Sequence, residues 1–150
     1  MAYAENTSVP WQRSRDEIES TLNRYGAENF MYGLKKECAA IAFTLQNRNI
    51  RFIVPFPDNA RFSVTEKGNA RSNEAAKKAY EQEIRRRWRA LSLVIKAKLE
   101  AVQSGISEFE DEFLANIVLP NGATVSEEVR PRIEQAYSGN ANIPLLPDMR

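Results

Sequence analysis

The fold is decided by residues 38–55, which read CAAIAFTLQNRNIRFIVP. Apolar side chains occupy every second position over 39–45 and again over 50–54. This alternation predicts two β-strands, each with one apolar face. The polar run 46–49 between them is short enough to form a tight turn. The segment therefore predicts an antiparallel hairpin whose apolar face must be covered by another element.

The chain before this hairpin predicts one helix and one further strand. A Ser-x-x-Glu capping box at 14–17 precedes apolar residues at helical spacing, so we expect a helix at about 15–25. Residues 28–33 alternate again and are joined to the hairpin by a short polar turn, which predicts a three-stranded meander. Residues 1–13 are expected to form an extended arm.

The chain after the hairpin predicts a long helix. Residues 62–65 are a candidate for a short edge strand, and the polar segment 66–73 is predicted to be a mobile loop. A helix is then expected over about 73–104, with Gly105 ending it. Its apolar residues fall within an arc of about 100° at 100° per residue. They are Tyr80, Ile84, Trp88, Leu91, Ile95, Leu99 and Val102.

The last third predicts two shorter helices and a tail. Capping boxes at 107–110 and 124–127 predict helices that run to about 118 and 137. Pro131 lies inside the second helix and predicts a kink or a break near Arg130. The segment 138–150 is expected to be an extended tail that packs through Ile143, Leu145 and Leu146.

These elements predict one α+β domain spanning residues 1–150. It has an N-terminal helix, a three-stranded antiparallel β-meander, one long helix packed across the sheet and two shorter C-terminal helices.

Composition excludes several classes of active site. The 150 residues include no histidine and one cysteine, Cys38. Catalytic triads, histidine-based acid–base catalysis and most zinc sites are therefore excluded. We expect no catalytic residue, no cofactor and no metal, and neither a signal peptide nor a membrane span. The enzyme alternative left open is one that depends on carboxylates or on a metal ion.

Charge is distributed unevenly along the chain. Residues 61–98 contain eleven basic and four acidic side chains, whereas residues 99–150 contain three basic and nine acidic ones. On a helical wheel, four of these basic residues form a basic stripe about 27 Å long. They are Lys78, Arg85, Arg89 and Lys96, and the preceding loop could extend the patch with Lys67 and Arg71.

The basic stripe has three interpretations. A linear row of cations suits the phosphate backbone of a nucleic acid. It also suits an acidic protein partner, and it equally fits a solvated helix face with i, i+4 ion pairs. The acidic last third could fold back and neutralise it, most directly through an acidic cluster of Glu108, Asp111 and Glu112. That cluster otherwise fits a helix N-terminus, a weak cation site, or a phosphate-like surface that faces a partner.

Other candidate residues favour structural roles. Cys38 lies in a strand beside small residues and is expected to be a small buried apolar side chain rather than a nucleophile. Asp58 follows two prolines at a strand end and fits a turn better than a catalytic acid. Aromatic residues interleaved with arginines could stack on bases, but their alternation fits core packing better.

Four segments of the chain resemble a group of small uncharacterised proteins of tailed bacteriophages and prophages. They are 1–9, 13–27, 51–58 and 86–122, which begin MAYAENTSV, RSRDEIES, RFIVPFPD and RRWRAL. The resemblance covers most of the chain, and the loop at 59–73 is its variable part. It implies a phage origin and the cytoplasm of an infected bacterium. It implies no activity, because the group has no established function.

Together these features predict a non-enzymatic phage accessory protein that binds nucleic acid in phage DNA metabolism. The alternative is an inhibitor that binds and occludes a host antiphage-defence protein. No membrane partner is expected. The sequence leaves the oligomeric state open, with a homodimer among the options.

Overall fold

The structure is a computed structural model and describes residues 4–139. Three strands form one antiparallel sheet in the order β1-β2-β3, at Glu28–Leu34, Cys38–Leu45 and Arg48–Pro55. The turn between β2 and β3 consists of Gln46 and Asn47, whose φ angles of 48° and 62° are those of a type I′ turn. Such a turn matches the twist of the flanking strands. The predicted meander is therefore confirmed, but the turn predicted over 46–49 is too long by two residues, because Arg48 and Asn49 already pair with β2.

One face of the sheet is buried and the other is open. On β2 the buried side chains alternate with half-buried small residues on the outer face. A bulge between Glu28 and Met31, where Asn29 has a φ of 57°, shifts the register of β1. The bulge brings Tyr32 opposite the buried Ile41, although Tyr32 itself is 47% exposed, and leaves Met31 on the outer face, 63% exposed.

Two helices cover the buried face. α1 spans Trp11–Arg24 and α2 spans Asn73–Gln103. At ~1.5 Å per residue, α2 is about 46 Å long. The Ser72 hydroxyl caps it by accepting from the Ala75 N–H at 3.1 Å, and Gly105 follows it in the left-handed region. One cluster of buried apolar residues joins both helices to the sheet; its largest members include Ile18, Leu22, Ile41, Phe43, Trp88, Ile95 and Phe113. The α+β class and the long helix are confirmed.

The first helix begins earlier than the sequence predicted. α1 starts at Trp11, so the arm predicted over 1–13 is too long by three residues. The Trp11 ring packs on Trp88 with centroids 5.5 Å apart, and this contact holds the first turn against α2. Ser14 is not an N-cap, because it lies inside α1 and is fully buried. The capping box predicted at 14–17 was therefore wrong.

The segment after α2 also differs from the prediction. α3 spans only Phe109–Glu112 and has no side-chain cap, so the capping box at 107–110 and the helix to 118 were wrong. A single 3-10 turn follows at Leu114–Asn116. The chain then extends because Ile117 forms a bridge with Ile50 at the edge of the sheet.

The last helix, α4, spans Val125–Tyr137 and begins with the predicted Thr124 capping box. It runs through Pro131 without the predicted break. The expected edge strand at 62–65 is wrong: a 3-10 turn occupies Asn59–Phe62, and a single bridge joins Val64 to Ala70. Mobility of the loop 66–73 stays a prediction. The tail contacts predicted beyond Gly139 lie outside the described residues.

Candidate anion-binding site

The C-terminal half of the basic stripe lies against α1. Arg89 donates to the Glu17 carboxylate at 2.5 Å, and Lys96 contacts the same oxygen at 3.5 Å. Ser92, one turn from both cations, is fully buried between the two helices. We call this line of contact the α1–α2 seam: α1 together with the side of α2 that carries Arg85, Arg89, Ser92 and Lys96.

Glu17 is the only carboxylate in the described part of the chain that pairs with these two cations. A third cation, Arg13, approaches it from the preceding turn of α1 at 4.0 Å. Partial burial works to raise the pKa of Glu17, but hydrogen bonds and charge from Arg89 and Lys96 outweigh it and hold the pKa below its usual value. Three positive groups thus meet one negative group, which leaves a local excess of positive charge.

The N-terminal half of the stripe is less neutralised. Arg85 makes two hydrogen bonds to the Gln82 amide oxygen, at 3.1 and 2.6 Å, and forms no ion pair within residues 4–139. Lys78 lies 3.9 Å from Glu74, and both side chains are more than 70% exposed. Such an exposed pair contributes little, because water screens it.

A shallow depression of about 590 Å³ opens on the seam beside Lys96. Its wall includes the cations Lys96 and Arg24, the hydroxyl of Thr21 and one acid, Glu100. Arg24 donates to the Thr21 hydroxyl at 3.3 Å, which holds its guanidinium near the depression. An anionic group could therefore meet two cations and a hydroxyl at this point.

Lys67 and Arg71 do not extend the stripe through any described contact. Phe62, in the 3-10 turn of the same loop, packs edge-on against Tyr80 with centroids 5.9 Å apart. Tyr80 is about 160° around α2 from Lys78. Arg71 donates to the backbone carbonyls of Phe62 and Val64, so it holds its own loop together.

The acidic last third does not cover the stripe in the described residues. Glu112 pairs with Lys98 at 3.5 Å, on another side of α2. Two further pairs, Arg48–Glu110 and Arg51–Glu127, tie α3 and α4 to β3. Within the acidic cluster, Glu108 and Asp111 are exposed and form no ion pair in residues 4–139. The acids of this region therefore mainly hold the C-terminal elements on the domain.

Two of the remaining arginines of α2 have a structural role. Arg86 and Arg87 both donate to Glu83, and Arg87 also donates to the Pro55 carbonyl at the end of β3. The Arg86 hydrogen bonds, opposed by burial and aided by Arg87, lower the pKa of Glu83 to about 2. This cluster ties α2 to the sheet.

The other candidates fit turn and packing roles. Asp58 accepts from the Ala60 N–H at 3.1 Å and caps the 3-10 turn. Cys38 lies on the outer face of β2 and is only half-buried, so the prediction that it is buried was wrong. Residues 4–139 contain no group of three or more acids and cysteines placed to hold a metal ion. None of the helices formed by these residues is both long and apolar enough to cross a membrane.

Sequence reasoning missed the contribution of α1. Glu17 follows Asp16 and precedes the buried Ile18, so its place at the margin of the buried helix face is readable from the sequence. Its two partners are 72 and 79 residues away, and no local pattern connects them. Arg24 was considered only as an arginine interleaved with aromatic residues, because no local pattern places it beside Lys96.

Comparison with protein-family models, with curated proteins and with solved structures found no significant match to this chain.

Proposed function

We propose that this chain is a non-enzymatic accessory protein of a tailed bacteriophage that binds nucleic acid along the α1–α2 seam. The resemblance of most of its sequence to small phage proteins is the basis for the phage origin and for action in the host cytoplasm. The observation that carries the binding proposal is that Arg13, Arg89 and Lys96 converge on the single carboxylate of Glu17.

The seam offers cations whose positions are already fixed. Arg89 is held by Glu17, Arg85 by Gln82 and Arg24 by Thr21. Fixed side chains lose less conformational entropy when a phosphate binds than free surface lysines do. Two acids, Glu17 and Glu100, offset two of the five positive charges of Arg13, Arg24, Arg85, Arg89 and Lys96, so about three phosphates would be neutralised. The expected slope of log K against log salt for duplex DNA is then about −3.

The test measures binding of fluorescent single-stranded and duplex DNA by anisotropy, between about 50 and 200 mM salt. The double variant Arg24→Gln with Lys96→Gln should bind more weakly and reduce the salt slope by about two. Lys36→Gln, in the exposed turn between β1 and β2, is the matched control and should leave both quantities unchanged. Equal losses in the control, or a wild-type protein that binds neither DNA, would refute the proposal.

A second candidate function is occlusion of a host antiphage-defence protein. It is favoured by the outer face of the sheet, where Met31 is 63% exposed and Ile53 is 49% exposed. On the central strand, Ala42 lies between Met31 and Arg51, and Ala40 lies between Gly33 and Ile53. Large apolar side chains exposed on an open sheet face are typical of protein interfaces.

The two candidate functions are distinguished by measuring how well phage that carry each variant grow in a host with the defence protein. Met31→Lys with Ile53→Lys should abolish protection of the phage if the sheet face binds a defence protein. Arg24→Gln with Lys96→Gln should then leave protection intact. The reverse pattern would exclude the occlusion function and agree with nucleic-acid binding.

A further inference from the structure

One side of α2 lies away from the sheet and from most of α1 and is nevertheless apolar; at its edge, Ala97 borders the depression against α1. At 100° per residue, the five residues that form this side fall within about 100° of one another, and the centre of that arc lies roughly opposite Trp88. Val94 is 45% exposed and Ala97 is exposed, while Ala90, Leu93 and Ala101 are partly exposed. A surface helix normally presents charged residues on this side. We call this surface the outer face of α2: Ala90, Leu93, Val94, Ala97 and Ala101.

The charged residues of the same stretch are committed elsewhere. Arg89 and Lys96 pair with Glu17, and Lys98 pairs with Glu112. Arg87, on the other flank, reaches the Pro55 carbonyl of β3. Among residues 4–139, the outer face of α2 is therefore left without a partner by the same contacts that attach α1 and the sheet to the other two sides of α2.

The spacing of the outer face is that of a two-helix seam. Ala90, Val94, Ala97 and Ala101 recur at intervals of four, three and four residues. Apolar residues at this spacing face a partner helix continuously when two helices cross at a shallow angle. Small alanines on either side of Val94 let two backbones approach closely, and Leu93 borders the seam. The geometry therefore suits another helix of the same kind.

Two charges decide the orientation of that helix. Arg86 and Glu100 flank the outer face on the same edge, seven residues before and seven residues after Leu93. In an antiparallel pair, Arg86 of each copy lies opposite Glu100 of the other, whereas a parallel pair places like charges together. Arg86 binds Glu83 through Nε and Nη2 and also lies near the charge of Glu5, but its Nη1 donates no hydrogen bond within residues 4–139. Glu100 forms no ion pair within residues 4–139.

We propose that the chain forms an antiparallel dimer through the outer face of α2, with Leu93 of both copies at the two-fold axis. The contact between Arg86 and Glu100 extends over about 21 Å of helix. One helix pair is small for a protein interface, below about 1,200 Å², so the dimer should be reversible at micromolar concentrations. Because the two-fold axis keeps both Arg86–Glu100 edges on one side, the two α1–α2 seams face the same side of the dimer.

The orientation is tested by site-specific crosslinking of the full chain in a Cys38→Ser background. Leu93→Cys should crosslink to its second copy with a short bismaleimide reagent. Ala101→Cys is the matched control: two copies of this residue lie about 24 Å apart along an antiparallel pair and should not crosslink. Equal crosslinking at both positions would overturn the antiparallel arrangement, and none at either position would overturn the dimer.

The charge pairing is tested by sedimentation equilibrium. Glu100→Lys should weaken dimerisation by about tenfold, because it places cations opposite Arg86. Combining it with Arg86→Glu should restore dimerisation, and circular dichroism checks that each variant is folded. A wild-type chain that stays monomeric at several hundred micromolar, or a double variant no better than the single one, would refute the proposal. Neither measurement uses nucleic acid, so its result is independent of the proposed function.

Discussion

Replacing Glu17 with glutamine separates two effects of one side chain. Glu17 stabilises the α1–α2 seam by pairing with Arg89 and Lys96, but it also competes with any phosphate for the same cations. The substitution keeps the size of the side chain and removes its charge. We therefore expect the folded protein to become less stable and to bind nucleic acid more tightly.

Both magnitudes follow from the geometry of the seam. The Glu17 side chain is 31% exposed and its partners are 25% and 40% exposed, so water screens the two pairs and their combined loss costs about 1 kcal/mol. In a chain of this length, such a loss lowers Tm by roughly 2–4 °C. One additional unpaired cation steepens the slope of log K against log salt by about 0.9 for duplex DNA.

The assays are thermal unfolding and anisotropy titrations of Glu17→Gln at several salt concentrations. Glu19→Gln is the matched control, because Glu19 is exposed on the same helix and forms no ion pair in the described structure. Weaker binding by Glu17→Gln at low salt, while the variant is still folded, would refute the competition between Glu17 and phosphate. An unchanged salt slope would show that the seam is not where nucleic acid binds.

Two further predictions concern stability. The pKa of Glu83 is about 2 in the folded protein, below its ordinary 4.5. The ionised Glu83 therefore adds to the free energy of unfolding above about pH 4.5, and this contribution is lost as pH falls towards 2. The pKa shift corresponds to about 3 kcal/mol of stability without screening by water and roughly 1 kcal/mol with it. Urea unfolding should show that stability falls less between about pH 7 and pH 3 in Glu83→Gln than in the wild type. Thr124→Ala should cost about 1 kcal/mol because it removes a capping hydrogen bond, whereas Ser107→Ala should cost almost nothing. Equal costs in these two variants, measured by urea unfolding, would contradict the assignment of the caps.

The elements that the sequence predicted well are those set by local patterns. The β2–β3 hairpin follows from alternation on either side of the short polar run 46–49. α2 follows from one apolar face over about 73–104, with Gly105 beyond its end. Each of these signals lies within the element that it specifies. Local and tertiary preferences agree there, so the prediction succeeds.

The errors occur where tertiary contacts override local signals. Ser14 and Glu17 have the spacing of a capping box, yet packing of Trp11 on Trp88 extends α1 past them and buries Ser14. Likewise, Ser107 and Glu110 fit a capping box, but Phe109 and Phe113 both enter the core and the chain then extends to reach the sheet. Three-residue spacing specifies a cap only when the surrounding chain is free to stop the helix there.

The basic stripe was predicted on the correct helix, but its surroundings could not be predicted. A helical wheel gives the direction of a side chain around the helix axis but not which element of the fold lies in that direction. The same wheel that aligns Lys78 with Lys96 also aligns Ser92 near them, and a buried serine within a row of cations is a sign that a helix packs there. The apolar outer face, about 100° further round, is the corresponding sign for a helix that residues 4–139 do not supply. Each of three sides of α2 therefore packs on a different neighbour: the sheet, α1 and, as proposed, the α2 of a second copy.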